Sequence, residues 1–361
     1  MNAHRSLRTL AVTTLVATLS LSLGCAKSED DKDASDGKGT SSDGAGEQVA
    51  AEPTKGAKTC TLKKYGGKET DLAKATVGFS QSEKEANPFR IAETASIKAE
   101  AEKRGVKLLT ANAQSQFSKQ ISDVQDLISK GADLLVIAPL NSDGWEPVLK
   151  RAAAKKIPIV TVDRQINAEP CEDYVSFIGS DFVQQGRRAA DQMIEATGGK
   201  GQVAILLGTP GNNVTTERTK GFTERIKEKA PKLKVVFKQT GEFAREKGQQ
   251  VTEQLIQSKP GIDGIYAEND EMGLGAVNAL KGAGKKPGEV KIVTVDGTKN
   301  AVQGIVDKWI HGVVESNPRF GPLAFQALED FGKGKKVGED IVIKDSAYTA
   351  ANAERDLDKA Y

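Results

Sequence analysis

One five-residue pattern occurs twice in this chain, as Ile159-Val160-Thr161-Val162-Asp163 and as Ile292-Val293-Thr294-Val295-Asp296. Each copy is a β-branched run that stops at an acidic residue, which is how a fully buried parallel strand of an α/β sheet reads. Two sheets are implied, one in each half of the chain. Ligands of open α/β sheets gather beyond the carboxyl ends of the strands, so Asp163 and Asp296 should each stand at the mouth of a lobe. If the lobes face one another, the two carboxylates border one cleft.

The sequence around each copy keeps a strand–helix alternation. Five short apolar strands are predicted between Thr76 and Ser180, and five more between Gln202 and Glu315, separated by amphipathic helices with Lys and Glu outside. Runs of βα units with brief connections build parallel sheets covered by helices on both faces. The fold class is therefore α/β, with two Rossmann-like lobes. The first lobe is expected to comprise 72–180 plus 318–340 and the second 181–317 plus 341–361. Short crossings near Ser180-Asp181 and Ser316-Pro318 are the hinge candidates, and the segment after Pro318 could serve either lobe.

Residues 1–24 carry Arg5 and Arg8 ahead of an apolar run from Leu10 to Leu23, the layout of a secretory signal peptide. The run ends at Cys25 in a context resembling a bacterial lipoprotein signal, although Ser22 stands where Leu is usual. Lipidation of Cys25, export to the periplasm or cell surface and anchoring to a membrane are expected. Residues 25–71 are rich in Asp, Ser, Gly, Lys and Glu and are expected to form a flexible tether. Cys60 and Cys171 remain, and in an oxidising compartment such an even remainder suggests a disulfide, free thiols being the alternative.

Charge narrows the partners. With 51 Lys and Arg against 49 Asp and Glu, no strong field favours nucleic acid. No cysteine cluster has zinc spacing, so no metal and no cofactor are expected.

The residues at the predicted strand ends are mainly Asp, Asn and Arg with a few aromatic rings: Asn87, Phe89 and Arg90, then Asp163-Arg164, then Arg218, Phe243, Asn269, Asp296 and Asn317. Sugar hydroxyls donate and accept at once, so carboxylates, amides and guanidiniums suit them, while an aromatic face covers the C–H side of the ring. Each residue also has a plainer role open to it. Asp296 could cap the next helix, Arg218 could be a solvated surface charge, and Phe89 and Phe243 could be core. Catalysis is poorly supported, because the only histidines are His4 and His311 and no G-x-S-x-G or phosphate-binding P-loop pattern occurs.

From about Thr76 to Phe331 the chain resembles the periplasmic sugar-binding proteins of the ribose/galactose class, the solute-binding components of ABC importers. The matching stretches are Val77-Gly78-Phe79-Ser80-Gln81, Asn87-Pro88-Phe89, Asp163-Arg164, Arg218 ahead of Gly221-Phe222, the run Tyr266 to Ala276, and Asp296-Gly297. The resemblance implies a periplasmic binding protein type I fold with a hinge, and a monosaccharide held by the strand-end residues named above. Arg90 and the run Gly144-Trp145-Glu146-Pro147 are closer to the galactofuranose-binding branch than to ribose binders, with Trp145 packing the helix. The implied partner is an ABC permease, with a membrane sensor as the alternative, and the chain is expected to work as a monomer.

Overall fold

The computed structural model describes residues 51–52 and 58–361. The expected leader over 1–24 and Cys25 lie outside the described residues, as does most of the expected tether.

The chain opens with β1 (Ala51–Glu52), β2 (Thr59–Cys60) and the single turn α1 (Leu62–Tyr65). The first βα series follows: β3 (Thr76–Gln81), α2 (Pro88–Lys103), β4 (Lys107–Asn112), α3 (Phe117–Ser129), β5 (Leu134–Ile137), α4 (Glu146–Lys155), β6 (Ile159–Val162) and β7 (Ser176–Ser180). The second series begins with α5 (Phe182–Thr197), β8 (Lys200–Leu207), α6 (Asn213–Lys229), β9 (Lys232–Thr240) and α7 (Arg245–Ser258). It continues through β10 (Gly264–Ala267), α8 (Asp270–Gly282), β11 (Lys291–Asp296), α9 (Lys299–Val306) and β12 (Gly312–Glu315). The chain closes with α10 (Gly321–Gly332), β13 (Val337–Gly338), β14 (Asp340–Ile343), β15 (Ala347–Thr349) and α11 (Ala353–Asp356).

Two sheets result. The first runs β1-β14-β7-β6-β5-β3-β4 and the second β15-β12-β11-β10-β8-β9. Within each, the five βα strands take the same order, with the second strand at one edge, then the first, third, fourth and fifth, all parallel. The duplicated pattern thus supplies the fourth strand of both lobes. Its apolar residues are fully covered, as helices on both faces require: β6 and the Ile292–Asp296 stretch of β11 are buried throughout. Helix starts are set by side-chain caps, with Asn87, Asp181, Asn212, Asn269 and Thr298 each accepting from a backbone N–H of the first turn.

Two boundaries differ from the expectation. β14 pairs in parallel with β7 of the first sheet, whereas β15 pairs antiparallel with β12 of the second. The return to the second lobe therefore falls at 344–346 and not at 340/341. The expected tether is also shorter than 25–71, because residues from 58 onward are packed on the first lobe. β2 pairs with β13, Cys60 and Cys171 form a disulfide, and the Tyr65 ring meets the edge of Phe331 at 5.5 Å. Each of these partners lies more than a hundred residues away, beyond the reach of local composition.

Candidate functional site

The carboxyl ends of both sheets face one another across a polar cavity with about 330 Å³ of empty space. The first lobe contributes Glu83, Asn87, Phe89, Arg90, Asp163 and Arg164, and the second Val214, Arg218, Phe243, Asn269 and Asp296.

The first wall is a dense set of ion pairs. Asn87 caps α2, accepting from the Arg90 backbone N–H at 2.9 Å, and so fixes where Arg90 leaves the helix. The Arg90 guanidinium then serves three carboxylates: Nη1 donates to Glu93 and to Asp163, both at 2.7 Å, and Nε donates to Glu83 at 3.0 Å. Arg164 donates from Nη2 to the other oxygen of Glu83 at 2.7 Å. Burial opposes ionisation of Glu83, but Arg164 and Arg90 overcome it and hold the carboxyl down at about 2. At Glu93 burial prevails over the pull of Arg90, with Asp163 adding like charge, and the carboxyl is pushed up to about 7. Glu93 Oε1 has no hydrogen-bond partner, which the neutral form tolerates better than the charged one.

The second wall is looser. Arg218, buried on α6, donates from Nε to Gln185 at 2.9 Å and from Nη1 to the Glu268 carbonyl. Its Nη2 is 3.7 Å from Asp296 Oδ1, a longer separation than any Arg90 pair. Burial pushes Asp296 well above the carboxylate range despite Arg218, and the nearby Asp270 adds to the rise. Asp296 is not a helix cap; Thr298 caps α9, and Asp270 holds the intervening turn by accepting from the Gly297 and Thr298 backbone N–H groups. Asn269 caps α8 and donates from Nδ2 to the Phe243 carbonyl at 3.1 Å, joining two lining residues.

Three of the lining residues carry positive φ: Asp163 at 66°, Phe243 at 58° and Asp296 at 139°. Non-glycine residues in such conformations cost of order ~1–3 kcal/mol each and persist where the surroundings hold them. Both copies of the duplicated pattern thus end in a sharp backbone turn that presents a carboxylate to the cleft. Phe89 and Phe243 add ring surface, and Arg164 lies over the Phe243 ring at 5.8 Å, across the cleft. Between the lobes, the Ser142 N–H donates to the Gly211 carbonyl at 2.9 Å and the Gln165 N–H to the Asn213 side chain at 3.0 Å. The lobes are in contact around the cavity.

Of the ten residues singled out from sequence, Asn87, Phe89, Arg90, Asp163, Arg164, Arg218, Phe243, Asn269 and Asp296 meet at this cavity. Asn317 does not. Its amide is engaged in its own turn, donating to Glu315 at 3.3 Å and accepting from the Arg319 N–H at 2.9 Å. Glu83 and Val214 are lining residues the sequence did not single out. Glu83 had a usable signal, an acid just beyond the end of β3 like the one beyond β6, but its neighbours Lys84 and Glu85 make it look like solvated surface. Trp145 packs as expected, buried and donating to the Asn141 carbonyl at 2.8 Å.

Residues 77–336 match the model of the periplasmic binding protein domain. The galactofuranose-binding protein YtfQ of Escherichia coli K12 is 36% identical over 293 residues, covering 80% of this chain and 92% of that one. The ribose import binding protein RbsB of Bacillus subtilis is 38% identical over 267 residues, covering 74% and 84%. A solved structure of the binding protein of an arabinose ABC transporter from Shewanella sp. ANA-3, bound to L-arabinofuranose, superposes with a TM-score of 0.76 at 37% identity, covering 79% and 95%. These relatives are binding proteins and not enzymes. Among the described residues no helix is long and apolar enough to cross a membrane. With its fold, its facing strand ends and this extent of similarity, the chain belongs to the periplasmic binding protein domain family.

Proposed function

We propose that this protein captures a monosaccharide between its lobes and delivers it to an ABC permease. The observation that carries this reading is the cleft itself, where guanidinium, amide and carboxylate groups from two separate lobes converge. Arg90, Arg164, Arg218, Asn87 and Asn269 would donate to hydroxyls, Asp163, Asp296 and Glu83 accept, and Phe89 and Phe243 cover C–H faces. Contacts from both lobes favour the closed arrangement, since only a ligand with differential affinity shifts such an equilibrium. A furanose form is the preferred guest, in keeping with the galactofuranose and arabinofuranose named for two relatives. Titration calorimetry against galactose, arabinose, ribose and galactofuranosides tests this. Saturable binding of a furanose-forming sugar is expected, and hydrolysis of a panel member, or heat from none of them, would overturn it.

The same proposal places the protein outside the cytoplasm, with Cys25 carrying the lipid that anchors it to a membrane. Radiolabelled fatty acid should enter the chain, and Cys25→Ser should abolish the label. Label retained in that variant would remove the anchor from the reading.

A further inference from the structure

The chain passes between the lobes three times: after β7, after β12, and between β14 and β15. One buried carboxylate, Asp345, touches all three passages. It accepts from the Ser180 hydroxyl at 3.1 Å at the first, the backbone amide of Asn317 on the second favours its charged form, and it lies on the third itself. Its second oxygen accepts from Gln185 Nε2 at 2.7 Å. That contact fixes which way the Gln185 amide faces, because the other end of the amide, Oε1, accepts from Arg218 Nε at 2.9 Å. A side-chain amide with its nitrogen held by a carboxylate and a carbonyl, here that of Glu315 at 3.2 Å, has only its oxygen left for the guanidinium.

The close approach of α5 and α6 makes the line possible. A Cβ on Gly186 would lie 2.2 Å from the Arg218 carbonyl oxygen, and one on Gly221 2.0 Å from that of Val183. The two helices therefore touch backbone to backbone at the point where Gln185 meets Arg218. Charged groups around Asp345 are few. Arg188 donates to its backbone carbonyl at 2.6 Å, Glu315 adds like charge, and Asp181 and Lys344 border the same hollow. None of them is placed against Arg218 in the site.

We propose that Asp345 is a positioning residue for the cleft, tying the three interlobe passages together and, through Gln185, aiming Arg218 at the guest beside Asp296. The inference rests on the sugar-capture reading. It goes beyond that reading by assigning ligand affinity to a residue that lines no part of the cavity.

The test is a double-mutant cycle in the full chain, read as Kd for whichever of galactose, arabinose or ribose the unchanged chain binds. Asp345→Ala and Gln185→Ala should each weaken binding by about tenfold, and the double variant should bind no worse than about twofold below Gln185→Ala alone, since the two act in series. Asp345→Asn keeps an acceptor for Gln185 and should bind within about threefold of the unchanged chain. Losses that multiply in the double variant, or an Asp345→Ala chain that binds normally, overturn the proposal. If the unchanged chain binds none of the three sugars, the sugar reading alone fails. The hinge assignment is then decided by spin labels at Lys84→Cys and Glu246→Cys on opposite lips of the ligand-free cleft. A broader, longer label distance in Asp345→Ala supports it, and an unaltered distance overturns it.

Discussion

The two walls of the cleft come from lobes with the same strand order and the same terminal pattern, yet they manage charge differently. In the first, two guanidiniums and three carboxylates pair at 2.7 to 3.0 Å, leaving Glu93 Oε1 and Arg164 Nε without hydrogen bonds, and Glu83 is held down at about 2. In the second, one guanidinium spends its hydrogen bonds on Gln185 and a carbonyl, and Asp296 is left 3.7 Å away with its proton affinity raised by burial. The first wall is largely pre-paired. The second holds unspent capacity, which a guest can use as both acceptor and donor. Duplicated topology therefore sets where the polar groups stand, while the loops and helix faces around them set how charged they are.

The largest effect should come from breaking the densely paired wall. Arg90→Ala takes the shared guanidinium from Glu93 and Asp163 and leaves Glu83 with Arg164 alone, and should lower unfolding stability by about 3–5 kcal/mol in urea titrations. Arg218→Ala leaves one carboxylate, Asp296, without its cation, whose charged form burial already disfavours, along with the Gln185 and Glu268 oxygens, and should cost less. Equal losses would erase the contrast between the walls.

The next effect concerns affinity for the bound sugar. Asp163→Asn takes a charged partner from Arg90 and should weaken binding by about 2–5 kcal/mol. Asp296→Asn replaces a carboxyl whose charged form burial disfavours and should cost about 1–2 kcal/mol. Calorimetry of both variants with one sugar reads the difference directly, and a larger loss at Asp296 would reverse the assignment.

The smallest effect is a pH slope. Glu93 is raised from its ordinary 4.5 to about 7, so between those values the folded chain holds a proton that the unfolded chain has released. Stability from this group is therefore fullest at acid pH and declines as pH rises through that window. Glu268 and Asp345, each pushed up to about 7 by burial, add to the same slope. Glu93→Gln should flatten the decline in melting temperature between pH 5 and 7 by the share belonging to this one carboxyl. An unchanged slope would mean that Arg90 keeps Glu93 charged, as it does Glu83.

Strand ends were legible in the sequence because a buried strand declares itself within a handful of residues. The duplicated run located β6 and β11 and, with them, Asp163 and Asp296. Arg218 was harder to read, for Thr216-Glu217-Arg218-Thr219-Lys220 looks like a wet helix face, and only its placement with the other polar groups at one edge of both sheets drew it in. What stayed hidden depends on distant pairing. Residues 58–71 have the composition of a linker until Cys60 meets Cys171 and Val337, and β14 and β15 look alike until their neighbours in separate sheets are known. Asn317 was misassigned for the opposite reason, since a polar residue after a strand is as useful for folding its own turn as for facing a ligand.

The contact between Ser142 and Gly211 at the cleft's outer rim joins one main-chain amide to one main-chain carbonyl. Such a clasp reads no side chain, so rim sequences are free to drift as long as their backbones still meet. Selectivity can then be retuned on the inner surfaces without relearning how to shut, which is how one hinged scaffold could serve a succession of different nutrients.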